Sequence, residues 1–184
     1  IDMPEHTYWH VDSLCIHPGD TLVAGADTMV AIGGTCKTLP FTFEANECVE
    51  LREKDAPKGE EWIDLVYPRW DGVVFLTYKR LHGAGDLRGQ TDTSSRLLES
   101  HYQFASGVEE QRYANDEQRV YGATYLLHGR NVASTYQFWV TDSATHFLRG
   151  ALYLNQTPNN DSLAPVLTYI QEDIDHLIET LRWR

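Results

Sequence analysis

The chain has 184 residues and a formal net charge of −12, with 27 acidic side chains against 15 lysines and arginines. A chain of this length can bury a core in one domain without a metal or disulfide framework. Its acidic balance argues against binding to phosphate backbones or to anionic lipid headgroups. No apolar run approaches the ~20 residues that a membrane-spanning helix needs. We therefore expect a globular domain that binds no nucleic acid.

Residues 1–38 have weak periodicity and several turn signals, which predict an extended N-terminal arm with one short hairpin. Three cysteines occur, at Cys15, Cys36 and Cys48. An odd number leaves at least one thiol unpaired within the chain, and the sequence leaves the pairing open. No apolar stretch precedes Cys15, so we do not expect it to be the acylated cysteine of a lipoprotein signal.

Strand patterns begin near Phe41 and continue through most of the chain. Two segments rich in β-branched and aromatic residues flank Asp71-Gly72, which predicts an antiparallel pair. A helix is expected between Leu87 and Ala105. The later segments lie too close together for crossover helices, so they should also pair antiparallel. The strand candidates are 62–68, 73–81, 108–113, 120–128, 132–141 and 146–155.

The C-terminal segment has the clearest pattern in the chain. Apolar residues from Leu163 to Leu181 fall within about 120° of arc on a 3.6-residue helix, which predicts a long amphipathic helix against the sheet. The expected fold class is α+β, with an antiparallel sheet packed with helices as an α/β/α sandwich. Residues 39–184 should form this single domain.

Few residues suggest chemistry. No nucleophile elbow, zinc motif, phosphate-binding loop or dinucleotide fingerprint occurs. Glu172, His176 and Glu179 share one helical face, but that face lies opposite the apolar stripe and is more typical of a solvated surface. Asp173 flanks the stripe and is expected to anchor a neighbouring backbone or arginine. We therefore expect no catalytic residues, no cofactor and no metal.

Arg149 is a charge inside an otherwise apolar strand. The favoured interpretation is a side chain that faces water; the alternatives are an ion pair with an acid such as Asp142, or part of a binding surface. Phe138 and Trp139 are adjacent and must point to opposite faces of their strand, so either both faces are covered or one exposes an apolar patch. The candidate interaction surface comprises Arg149, Trp139 and Trp70.

Three segments resemble the GldD family of gliding-motility lipoproteins: WIDLVYPRWDGVVFLTYKRL, VYGATYLLHGRNVASTYQFWVTDSATHFLRGALYLN and PNNDSLAPVLTYIQEDIDHLIETLRW. The segment LPFTFEANECVEL looks like the first strand of that family. The similarity covers about residues 39–184, and the arm before it carries residues that do not match. The strand order and last helix also resemble the PsbP/Mog1 type of α/β/α sandwich, at the level of fold only.

This resemblance implies an envelope lipoprotein that faces the periplasm and serves surface motility and the linked type IX secretion machinery. It implies no catalytic residues, and its partners would be other envelope proteins of that machinery. Contact with the membrane would come only through an N-terminal lipid anchor that is absent from this sequence. The alternative function is a periplasmic small-ligand-binding protein or hydrolase, which predicts a deep pocket with convergent polar groups.

Overall fold

The structure is a computed structural model that describes the backbone of residues 2–16, 21–24, 27–30, 35–155 and 160–184. These residues form antiparallel sheets and two α-helices, so the predicted α+β class is confirmed. The helices are α1 (Ala84–Glu99) and α2 (Asn160–Thr180). The strands are β1 (Tyr8–Ile16), β2 (Thr21–Ala24), β3 (Asp27–Val30), β4 (Thr35–Asn46), β5 (Glu50–Lys54), β6 (Glu60–Tyr67), β7 (Gly72–Arg80), β8 (Gly107–Asn115), β9 (Val120–His128), β10 (Tyr136–Thr141), β11 (His146–Leu154) and β12 (Arg182–Trp183).

The largest sheet has seven strands in the order β5-β6-β7-β11-β10-β9-β8, and all neighbours are antiparallel. The predicted pair around Asp71-Gly72 is β6 and β7, and Asp71 adopts the left-handed conformation with a φ of 50°. An aspartate tolerates this conformation better than most residues, which permits the short connection. β9, β10 and β11 are consecutive neighbours, as their close spacing predicted.

A second sheet has three strands in the order β1-β4-β12. β1 runs along β4 and brings Cys15 opposite Cys36, where the two form a disulfide. This resolves the cysteine pairing that the sequence left open, and Cys48 keeps a free thiol. Because the sulfur of Cys15 is in the disulfide, it is not available for acylation. β2 and β3 pair antiparallel as a separate two-stranded sheet.

The main core lies between one face of the seven-stranded sheet and the layer formed by α2 and β4. Ile170, Ile174 and Leu177 of the α2 stripe are each at most 1% exposed. Phe138 of β10 lies close to β11: a Cβ added to Gly150 would come within 2.1 Å of its ring. The glycine therefore permits the close approach that lets this ring fill the core.

α1 lies on the opposite face of the sheet and contacts β10 and β11. Leu98 packs there with Leu127 and Val132 in a small second cluster. The helix predicted for 87–105 was wrong at both ends, because α1 begins at Ala84 and ends at Glu99. Tyr102 has helical spacing from Leu98 but is exposed, so no burial supports a continuing helix. Neither helix in the described part of the chain is long and apolar enough to span a membrane.

Candidate functional site

A narrow cleft between α1 and the sheet, here called the α1 cleft, collects polar and aromatic side chains. Antiparallel pairing sets Trp139 of β10 opposite Arg149 of β11, while Gln137 pairs with Tyr125 of β9. Since side chains alternate along a strand, Gln137, Trp139 and Arg149 all point to the α1 face. The lining residues are Ser94, Ser95, Leu98, Tyr125, Gln137, Phe138, Trp139 and Arg149.

Arg149 is half-buried in this cleft, not directed into water as the favoured interpretation expected. Its Nη2 donates a hydrogen bond to Oε1 of Gln137 at 2.9 Å. Burial lowers the pKa of Arg149, and the neighbouring Tyr153 opposes this effect. Asp142 is not its partner, because the Asp142 carboxylate accepts hydrogen bonds from the backbone N–H groups of residues 144–146.

The lining of the α1 cleft is rich in hydrogen-bond donors and contains no acidic side chain. Gln137 is 3% exposed, and its Nε2 has no hydrogen-bond partner among the residues that the structure describes. Ser94 of α1 is 6% exposed. Trp139 donates from Nε1 to the Tyr125 hydroxyl at 3.4 Å and stacks on Phe147, which holds one wall of the cleft in place. The arrangement can bind a group that accepts hydrogen bonds.

His101 and Tyr153 lie beside the cleft, with 3.3 Å between His101 Nε2 and the tyrosine hydroxyl. Burial lowers the pKa of His101, and the positive charge of Arg149 lowers it further. The imidazole is therefore neutral at neutral pH and adds no second cation beside Arg149.

The structure brings two of the three predicted interaction residues together and separates the third. Trp139 and Arg149 both line the α1 cleft. Trp70 is only 8% exposed and belongs to the main core on the opposite face of the sheet, where it meets the Tyr169 ring at a centroid distance of 5.1 Å. Sequence reasoning missed Gln137 and Ser94, which only the strand register and the position of α1 place beside Arg149.

A second polar group, here called the Asp173 cluster, is buried between α2 and the sheets. The Asp173 carboxylate accepts hydrogen bonds from the Tyr67 hydroxyl at 2.8 Å and from the Tyr8 hydroxyl and Asn46 Nδ2 at 3.0 Å each. His6 Nδ1 lies 2.8 Å from the same carboxylate. The expectation that Asp173 anchors a backbone group or an arginine was wrong, since its partners are polar side chains from β1, β4, β6 and the segment before β1.

Cys48 lies beside this cluster, which raises the question of nucleophilic catalysis. Burial raises the pKa of the Cys48 thiol, the charge of Asp173 raises it further, and a hydrogen bond with Tyr169 lowers it. The net effect keeps the thiol protonated at neutral pH, whereas catalytic cysteines have lowered pKa values. The cluster therefore has the character of a structural hydrogen-bond network.

The helical face weighed as a metal site is divided between separate partners. Glu172 pairs with His6 at 2.8 Å, and His176 pairs with Glu44 at 2.9 Å. Across the residues that the structure describes, no group of three or more histidine, cysteine or acidic side chains is placed to hold a metal ion.

Exposed apolar side chains concentrate where the chain leaves α1 and enters β8. This apolar corner comprises Leu97, Tyr102, Phe104 and Val108, which are between 37% and 54% exposed. The backbone of Ser106 is bound to the carbonyl of His128, and a Cβ on Gly129 would come within 2.6 Å of the Phe104 carbonyl oxygen. Gly129 has a φ of 151°, so glycine is favoured at this close contact.

The fold and the site define an α+β domain with a cross-strand disulfide and a donor-lined cleft, in the class of domains suited to oxidising compartments. The chain belongs to the gliding motility lipoprotein GldD family, whose family model matches residues 33–183. Nothing among the curated proteins or the solved structures matches the chain. The family is one of membrane-anchored lipoproteins associated with gliding motility and is not a known enzyme family.

Proposed function

We propose that this protein is a non-catalytic accessory lipoprotein of the gliding-motility and type IX secretion machinery, acting through protein–protein interactions. The observation that carries the proposal is the family match over residues 33–183. Its partners are other envelope proteins of that machinery. The Cys15–Cys36 disulfide supports a periplasm-facing location, because such bonds form and persist in oxidising compartments.

The apolar corner supports an interaction role. Exposed apolar residues that lie close together on a soluble surface mark sites of protein–protein contact, and aromatic residues are enriched at such interfaces. The corner adjoins β8, a nine-residue edge strand of the seven-stranded sheet. An edge strand presents unpaired backbone N–H and C=O groups, to which a partner segment can hydrogen-bond as an added strand. The corner and the edge together therefore suit a polypeptide partner.

The likeness to the PsbP/Mog1 type of α/β/α sandwich remains part of this proposal. It is supported by the position of α1 on one face of the seven-stranded sheet and of α2 on the other. A likeness of fold would not by itself carry a function.

Deletion and complementation in a gliding bacterium of this family test the proposal. Deleting the gene should abolish spreading, and the wild-type gene should restore it. A Tyr102→Ser/Phe104→Ser double variant should fail to restore spreading although it accumulates normally. The control is Trp62→Ser, which changes an aromatic residue that is 37% exposed on β6, away from the corner. Normal spreading and secretion in the deletion strain would overturn the proposal.

A small-ligand-binding protein is the second candidate, and the donor-lined α1 cleft is the observation that favours it. The cleft is narrow, unlike the deep pocket that encloses most of an organic ligand. Among the described residues no observation favours a hydrolase.

A further inference from the structure

We infer that the α1 cleft is a receptor for a carboxylate group, which Arg149 and Gln137 bind together and which a polypeptide partner supplies from an acidic side chain or a chain end. The choice of a polypeptide as the source rests on the proposed function. The carboxylate chemistry rests on the cleft alone.

The first argument is the uncompensated charge of Arg149. A guanidinium has five N–H donors in a planar fork, and within the described part of the chain Arg149 makes one side-chain hydrogen bond, to Gln137. No acidic residue in the described part of the chain forms an ion pair with it, although acidic side chains outnumber basic ones by 27 to 15. A half-buried charge without a counter-ion destabilises the fold, so an anion that enters the cleft gains a strong partner.

The second argument is the orientation of the Gln137 amide. Arg149 has only donors, so the Gln137 oxygen must face it and Nε2 must point away. That Nε2 is buried, and no described residue of the chain is its hydrogen-bond partner. A carboxylate beside both residues accepts one hydrogen bond from the guanidinium and one from the amide. The bond from the guanidinium would be charge-assisted, and such bonds are stronger than neutral ones.

The third argument concerns the size of the cleft and what surrounds it. The space beside the aromatic walls, Tyr125 and Trp139, has room for about one water molecule, so it admits a single carboxylate oxygen and no larger group. The apolar corner lies next to the cleft. Leu97 directly precedes the lining residue Leu98 in α1, and Tyr125 of the cleft is close enough to Tyr102 to raise the pKa of its hydroxyl. A polypeptide that covers the corner can therefore place an acidic group in the cleft.

Nuclear magnetic resonance of the ¹⁵N-labelled wild-type domain tests this directly through the Arg149 Nε–H and Gln137 Nε2–H signals. The probes are acetyl-Ala-Ala-Phe with a free carboxylate, the same peptide with a terminal amide, sodium acetate, and sodium chloride at equal ionic strength. The free-acid peptide should shift both signals to saturation, and the amide peptide should bind at least about tenfold more weakly, since it lacks the charge-assisted pair. Acetate should shift the same signals with lower affinity.

Equal responses to chloride and to the free-acid peptide, or no response of either signal to any carboxylate, would overturn the inference. Acetate binding as tightly as the peptide would support the carboxylate site and overturn the polypeptide source. These measurements use the purified domain, so their outcome is independent of whether the deletion strain spreads. Failure of the inference and failure of the proposed function can therefore be told apart.

Variants separate a binding role for the cleft from a structural one. Arg149→Gln should weaken binding of the free-acid peptide by at least about tenfold. The matched control is Arg112→Gln, which removes a 91% exposed arginine on β8 and should leave binding unchanged. Gln137→Leu removes the unpartnered Nε2 together with the oxygen that accepts from Arg149, so it should weaken binding of the free-acid peptide and also lower the melting temperature. Binding is measured well below the melting temperature of this variant. Unchanged binding in Gln137→Leu, or equal losses in Arg149→Gln and Arg112→Gln, would contradict the inference.

Discussion

Asp173 is the residue whose surroundings depart furthest from what its position in the sequence indicated. Its place beside the apolar stripe of α2 predicted an anchor for a neighbouring backbone group or an arginine, whereas the side chain is 5% exposed and binds other polar side chains. Its partners Tyr8, Asn46 and Tyr67 come from three strands at distant positions in the chain. A helical pattern shows which face of α2 is buried but carries no information on which strands meet that face.

Replacing Asp173 with alanine should destabilise the domain by about 3 kcal/mol, because several buried donors lose their acceptor at once. Thermal or urea unfolding measures this loss. The control is Glu172→Ala at the adjacent position, which removes the 59% exposed partner of His6. An exposed pair of this kind contributes under about 1 kcal/mol. Equal losses in the two variants would show that the Asp173 cluster has no special role.

Cys48 offers a test of the non-catalytic assignment through the pH dependence of alkylation. Burial raises the pKa of its thiol, so at any given pH a smaller fraction is the reactive thiolate than in a free cysteine. The rate of modification by iodoacetamide should therefore rise at a higher pH than it does for free cysteine, whose pKa is about 8.5. Rapid modification at pH 6 would instead indicate an activated thiol and reopen the enzyme hypothesis.

At the scale of elements, the sequence predicted those strands that have alternating apolar residues and are bounded by turn residues. β6, β7 and the three strands β9, β10 and β11 follow such patterns, and their pairing follows from short connections. β5 was missed because its charged residues show no alternation, and β12 because it has two residues. The α1 cleft could be predicted only in part. Arg149 and Trp139 were recognisable as unusual strand residues, whereas the role of Gln137 follows only from the pairing register of its strand with β9 and β11.

Ile174 tests the contribution of α2 to stability. It is 1% exposed at the centre of the apolar stripe, as the helical pattern predicted. Ile174→Ala should cost roughly 2–5 kcal/mol, the range for large-to-small changes in a core. For a domain of this size each 1 kcal/mol lowers the melting temperature by about 2–4 °C. Glu179→Ala, at an exposed position of the same helix, should change stability by less than ~0.5 kcal/mol. An unmoved melting temperature in Ile174→Ala would contradict a core role.

At the scale of the whole molecule, the disulfide ties β1 to the centre of the three-stranded sheet. Cys15 and Cys36 are 21 positions apart, and a crosslink over a loop of this length stabilises by about 3 kcal/mol in the chain-entropy model. A Cys15→Ser/Cys36→Ser variant should therefore melt several degrees lower. Dithiothreitol should lower the wild-type melting temperature to the same value and leave the variant unaffected. The control is Cys48→Ser, which should melt like the wild type because it removes only the free thiol.

The layering of the fold has a consequence for how the molecule would be presented in an envelope. β1 follows the first described residues and lies in the three-stranded sheet, on the α2 side of the core. α1 and its cleft lie on the opposite face of the seven-stranded sheet. A lipid tether that leads into β1 would hold the β1–α2 side nearer the bilayer and turn the α1 face outward. The anchor would then act as an orienting device that directs the donor-lined cleft and the apolar corner away from the lipid.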